Sequence, residues 1–81
     1  MAEPDDFKII GSISKITVIA QGRGLRIRSQ LEDKYGGKNW RKMKGLAFVE
    51  EDNGYIGDAE IHWYEAHGLG RKEHKIKRFL P

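Results

Sequence analysis

Two glycine-bearing turns in the second half of the chain constrain its fold more than any other feature. Asp52-Asn53-Gly54-Tyr55 and His67-Gly68-Leu69-Gly70 separate short segments in which apolar and polar side chains alternate. Period-two alternation bounded by such turns reads as antiparallel strands. Asn-Gly is the strongest short hairpin signal, because a type I′ turn needs positive φ at both central residues. With Asn53 and Gly54 at those positions, Val49 faces Asp58, Phe48 faces Ala59, Ala47 faces Glu60 and Leu46 faces Ile61. With Ala66 facing Arg71 across the second turn, Trp63 faces His74, His62 faces Lys75, Ile61 faces Ile76 and Glu60 faces Lys77. The two registers agree on one sorting. Leu46, Phe48, Ala59, Ile61, Trp63 and Ile76 share a core face, while Ala47, Val49, Glu60, His62, Tyr64, Lys75 and Lys77 share the other. A one-residue slip in either hairpin inverts that sorting.

Upstream, residues 13–20 (ISKITVIA) are rich in β-branched side chains and read as a strand, extending back toward Ile9. Both of its faces are largely apolar, which suits a strand inside the sheet. Gln21-Gly22-Arg23-Gly24 breaks it. Residues 25–35 then read as a helix whose Ile27, Leu31 and Tyr35 form one apolar stripe, stopped by Gly36-Gly37. Residues 38–45 form a basic loop with Trp40 and Met43 as anchors. The expected fold is α+β: a strand, a helix and a three-stranded antiparallel meander, with the helix packed on one face of the sheet.

The chain has 81 residues and no cysteine, so its stability comes from one small core or from a partner subunit. An acidic tail over residues 1–7 is expected to be disordered, ahead of a single domain over 8–81. No apolar run is long enough to span a bilayer, and the acidic start lacks a signal pattern. The expectation is a cytoplasmic protein with no membrane partner.

The net charge of +3 is unevenly spread. Arg23, Arg26, Arg28, Lys34, Lys38, Arg41, Lys42 and Lys44 form one basic group, and Arg71, Lys72, Lys75, Lys77 and Arg78 form another. An acidic belt of Glu50, Glu51, Asp52, Asp58, Glu60 and Glu65 lies between them. Clustered basic residues favour a polyanion such as nucleic acid. The plainer alternative is a solvated surface with cross-strand ion pairs.

Four sets of residues carry potential chemistry. Glu60, His62 and Tyr64 alternate along one strand beside Lys75 and Lys77, with the small Gly45 and Ala47 on the other flank. A carboxylate and an imidazole can share base and acid roles in RNA 2′-hydroxyl transesterification, with lysines offsetting phosphorane charge and Tyr64 positioning or stacking. The same residues also suit an ordinary solvated sheet face with a Glu60–Lys77 pair. His62, His67 and His74 are metal-ligand types, but the register sends His62 and His74 to opposite faces and leaves His67 in a turn, so no metal or other cofactor is expected. Arg23 sits between Gly22 and Gly24 before the helix and Arg26 in its first turn, where free backbone N–H groups suit a phosphate; simple turn chemistry is the other reading. Trp40, Arg41, Lys42 and Lys44 interleave an aromatic with cations, the composition of a single-strand contact, although Trp40 reads better as core.

The phrases GRGLR, GGKNWRKMKG and EIHWYEAHGLGRKEHKIKR resemble those of short uncharacterised bacterial proteins. The expected element order also resembles a reduced RelE/barnase-like ribonuclease toxin fold. That resemblance implies an open sheet face carrying acid, base and cationic residues that act on RNA. The single helix before the meander departs from the usual pattern of that group.

The sequence therefore points to a small basic domain that binds nucleic acid, RNA above all, through Arg23, Arg26, Trp40, Arg41, Lys42, Lys44, Lys75 and Lys77. In a stronger form it is a metal-independent ribonuclease acting through Glu60, His62 and Tyr64. The rival expectation is a non-catalytic module that homodimerises or binds a small protein partner through a sheet edge.

Overall fold

The computed structural model describes residues 6–81. One antiparallel sheet holds β1 (Phe7–Gln21), β2 (Arg41–Glu51), β3 (Ile56–Ala66) and β4 (Gly70–Phe79) in the order β1-β2-β3-β4. A 3-10 turn (Gly22–Gly24) and one helix, α1 (Arg28–Tyr35), connect β1 to β2. The expected strand, helix and three-stranded meander is thus corrected to a four-stranded antiparallel sheet with one short helix, because β1 pairs with β2 along most of its length. Residues 1–5 of the expected acidic tail lie outside the described residues. Phe7, also assigned to that tail, instead opens β1, pairs with Glu51 and packs on the core.

The first hairpin differs from its expected register by one residue. Glu51 N donates to Tyr55 O at 2.8 Å, and Gly54 N donates to Glu51 O at 2.9 Å. Three residues therefore form the loop, and Gly54 takes a φ of 92° while Asn53 does not take a positive φ. This is the three-residue hairpin in which only the last loop residue is left-handed. Asn53 serves through its side chain, accepting the Tyr55 N–H at 2.9 Å. As a result Ala47 faces Ala59, Leu46 faces Glu60, Gly45 faces Ile61 and Lys44 faces His62. The slip turns β2 over: Ala47 and Val49 are buried, and Phe48, expected in the core, is 43% exposed.

The second hairpin keeps its expected register only in the middle, at Ile61–Ile76 and His62–Lys75. Two irregularities shift its ends, so that Glu60 faces Arg78 and Tyr64 faces Lys72. Lys77 is the extra residue in one of them, and Glu73, with a φ of 58°, lies in the other.

One face of the sheet carries the main core of Met43, Ala47, Val49, Ala59, Ile61 and Trp63, against which Phe7, Ile9, Ile13, Ile76 and Phe79 pack. Burial of Val49 and Ile61, both fully enclosed, contributes roughly 1.5–3 kcal/mol each. A second cluster of Leu25, Leu31, Trp40 and Ala66, with Ile27, Tyr35, Tyr64 and Leu69 against it, forms around the helix. Tyr64 and Ala66 alternate with Ile61 and Trp63 along β3, so this cluster lies on the opposite face, at one end. The stripe Ile27–Leu31–Tyr35 is therefore the packing face of the helix, as expected, but it covers the other side of the sheet. An eight-residue helix is marginal alone. This one is held by the burial of Leu31, by Gly36 at its C-terminus (φ 76°) and by Trp40 Nε1, which donates to Gly36 O at 2.9 Å.

β1 is an edge strand, where an interior one was expected. Ile16, Val18 and Ile19 are exposed along it. Three register shifts and Lys15 at a φ of 52° break its ladder, a pattern that discourages pairing with another strand. Among the described residues no helix is long and apolar enough to cross a membrane.

Candidate nucleic-acid interface

The face opposite the main core carries three cross-strand rows at and beside its centre. Leu46, Glu60 and Arg78 form the first, Lys44, His62 and Lys75 the second, and Lys42, Tyr64 and Lys72 the third. The cations come from β2 and β4, and β3 supplies the polar stripe between them. Beyond these rows, Ala66 and the helix close one end, while Ile10, Phe48 and Ile56 are exposed toward the other.

His62 Nε2 lies 2.7 Å from Glu60 Oε2, and Arg78 Nε donates to Glu60 Oε1 at 3.1 Å. Both side chains of the pair are largely buried, His62 at 13% and Glu60 at 16% exposure. The hydrogen bond from His62 holds the Glu60 carboxyl below the usual carboxylate range, helped by the charges of Arg78 and Lys44 and opposed by burial. Glu60 is an acceptor, so in this geometry Nε2 carries the hydrogen and Nδ1 is the nitrogen available to a ligand. Burial pushes the Tyr64 hydroxyl up, with the Glu73 carboxylate adding to the effect. Lys42 Nζ stands 5.9 Å from the centre of the Tyr64 ring. Ile27, Lys42, His62, Tyr64, Glu73 and Lys75 all line one open groove of about 770 Å³ that extends toward the first hairpin.

The sequence-derived site residues divide. Glu60, His62, Tyr64, Lys42, Lys44 and Lys75 come together on this face. Small neighbours do not flank Glu60 and His62 as expected; Leu46 and Lys44 stand there instead. Lys77 is exposed but displaced by the bulge, and Arg78 takes its place beside Glu60. Trp40 has no exposed surface, so it is core and cannot stack on a base. Arg41 turns to the core side, where its Nη2 donates to Glu65 Oε2 at 2.9 Å. Arg23 and Arg26 are exposed near the 3-10 turn, and Arg26 precedes the helix where it was expected in the first turn. His74 stacks on Trp63 with ring centres 5.9 Å apart, and His67 is exposed in the second hairpin turn. Among the described residues no three His, Asp or Glu side chains gather as metal ligands.

Arg78, Lys72 and Glu65 carry roles that sequence reasoning did not assign. Arg78 and Lys72 lie in the basic run that the sequence displays, but only the bulges set which of them reach Glu60 and Tyr64. Glu65 receives three donors near the end of the core face: Trp63 Nε1 at 2.8 Å, Arg41, and more distantly Arg71.

No protein-family model matches the chain, and searches of curated proteins and of solved structures return no significant match.

Proposed function

We propose that this protein is an RNA-binding domain whose binding surface is the sheet face around His62. The observation that carries this reading is the row Lys44–His62–Lys75, with Lys42, Lys72 and Arg78 beside it. Six cationic or imidazole side chains from three strands there face Glu60 and Glu73. A phosphate backbone laid across the row meets ammonium groups on both sides, and the part-buried Tyr64 ring offers a planar surface to a base or ribose. Titration of a fluorescently labelled single-stranded RNA at low and moderate salt tests the reading. Affinity is expected to fall as salt rises, through counterion release. Salt-insensitive binding, or none, defeats it.

The Glu60–His62 contact favours a second reading, cleavage of the bound RNA. In this reading the roles differ from those expected from the sequence. Glu60 is tied to His62 and Arg78 and orients the imidazole; it is not the free base. His62 Nδ1 accepts the 2′-hydroxyl proton as the 2′ oxygen attacks phosphorus. The 5′ oxygen leaves with a proton from a neighbouring acid, for which Tyr64 and the lysines are at hand, yielding a 2′,3′-cyclic phosphate and a 5′-hydroxyl end. Incubation with RNA in EDTA, comparing wild type with His62→Ala, tests this form. Loss of cleavage in a folded variant supports it, and equal cleavage refutes it.

A further inference from the structure

A second cleft of about 650 Å³ opens at the helix end of the molecule, and among the described residues none lines both clefts. Arg28 of α1, Lys38 of the following loop, Arg41 at the start of β2 and His67 of the second hairpin turn all line it. Residues distant in sequence meet there, three permanent cations from residues 28–41 and an imidazole from the second hairpin turn. Arg41 has one guanidinium nitrogen on Glu65, while 40% of its side chain remains exposed. Among the described residues Glu32 is the one carboxylate in the lining, and Asn39, Gln21 and backbone groups supply neutral partners.

We infer that this cleft binds the terminal phosphate of an RNA chain, an inference that rests on the RNA-binding reading of the sheet face. Three features select this ligand. A terminal phosphomonoester carries about −1.5 to −2 charge near neutrality, against one for an internal phosphodiester, and so gains more from a converging set of cations. Glu32 and Asn39 can accept hydrogen bonds from ribose hydroxyls, which a bare inorganic anion lacks. The two clefts are also close along the chain: Ile27 and Lys42 line the groove, and the residues next to them, Arg28 and Arg41, line the cleft, with Lys42 and Arg41 leaving β2 on opposite faces. In this inference an RNA end leaving the lysines of the groove bends around the start of β2 to reach the cleft.

The test compares one short RNA in three forms, with hydroxyl ends, with a 5′-phosphate and with a 3′-phosphate. Adenosine monophosphate serves as a free competitor. One of the phosphorylated RNAs is expected to bind wild type about fivefold tighter than the hydroxyl form. In Arg28→Gln/Lys38→Gln, two exposed positions, that preference is expected to vanish while the hydroxyl-ended RNA binds as before. Equal affinity for all three RNAs in wild type overturns the inference and leaves RNA binding standing. A preference that survives the double substitution places the phosphate elsewhere and overturns it too. Displacement by the mononucleotide at its own low concentration assigns the cleft to free nucleotide and overturns the RNA-end form. Absence of binding by every RNA removes the sheet-face reading along with this one.

Discussion

The Tyr35 hydroxyl donates to Glu73 Oε2 at 2.8 Å, joining the C-terminal end of α1 to the irregular part of β4. Lys34 Nζ reaches the same oxygen at 3.2 Å. Glu73 is left-handed and lies where β4 slips between the His62–Lys75 and Tyr64–Lys72 pairs. The clamp therefore sets which cations stand beside His62 and Tyr64. Burial pushes the Tyr35 hydroxyl up, and the bond to Glu73 adds to it.

Two substitutions separate the clamp from the backbone strain. Glu73→Ala loses the acceptor and keeps a side chain in the left-handed region; Glu73→Gly loses the acceptor and relieves the strain. Glu73→Ala is expected to destabilise by about 1–2 kcal/mol in urea unfolding, and Glu73→Gly by roughly 1 kcal/mol less. Equal losses would show that the positive φ carries no strain.

Gly45 is required by close packing. A Cβ there would stand 2.5 Å from Ile13 Cγ2, 3.0 Å from the backbone oxygen of Ser14 and 3.1 Å from the Trp63 ring. Gly45→Ala is expected to lower stability by about 1–3 kcal/mol, as overpacking does. An unchanged unfolding midpoint would mean that β1 shifts aside freely.

The Glu60 carboxyl lies below its usual range in the folded protein, so the unfolded chain takes up that proton first as pH falls. Its stabilising contribution is present above the unfolded carboxylate value and is lost as pH drops through the lower folded value. The partners facing it are His62, Arg78 and Lys44. The difference in melting temperature between wild type and Glu60→Gln is expected to be widest near neutrality and to close below about pH 4. A difference that grows toward acid pH would contradict the assignment.

The sequence displays β3, β4, both hairpins and the helix stripe because period-two and period-four patterns are strong there. The Asn53-Gly54 pair does not show whether one or both residues take positive φ, and that choice alone turns β2 over. Hence Phe48 and Leu46 were expected inside and Ala47 and Val49 outside. The centre of the second hairpin was legible because His62 and Lys75 lie between the two bulges; Lys77 and Arg78 lie beyond one of them, and no local residue pattern marks it. β1 misled through its composition. Ile16, Val18 and Ile19 read as interior, yet the strand is at the edge and irregular. The Glu60–His62–Tyr64 stripe on β3 survived the slip intact, since its alternation belongs to one strand. Its neighbours did not.

The central claim is that the Lys44–His62–Lys75 row holds an RNA backbone. The most direct measurement is the salt dependence of single-stranded RNA affinity for wild type and for Lys44→Gln/Lys75→Gln. About three or four phosphate contacts give a slope of roughly −2 to −3 in log affinity against log salt, and removing two contacts makes it shallower by about 1.4. The account predicts that shallower slope with weaker binding in a variant that folds as wild type does. The same affinity and slope in both proteins would contradict it.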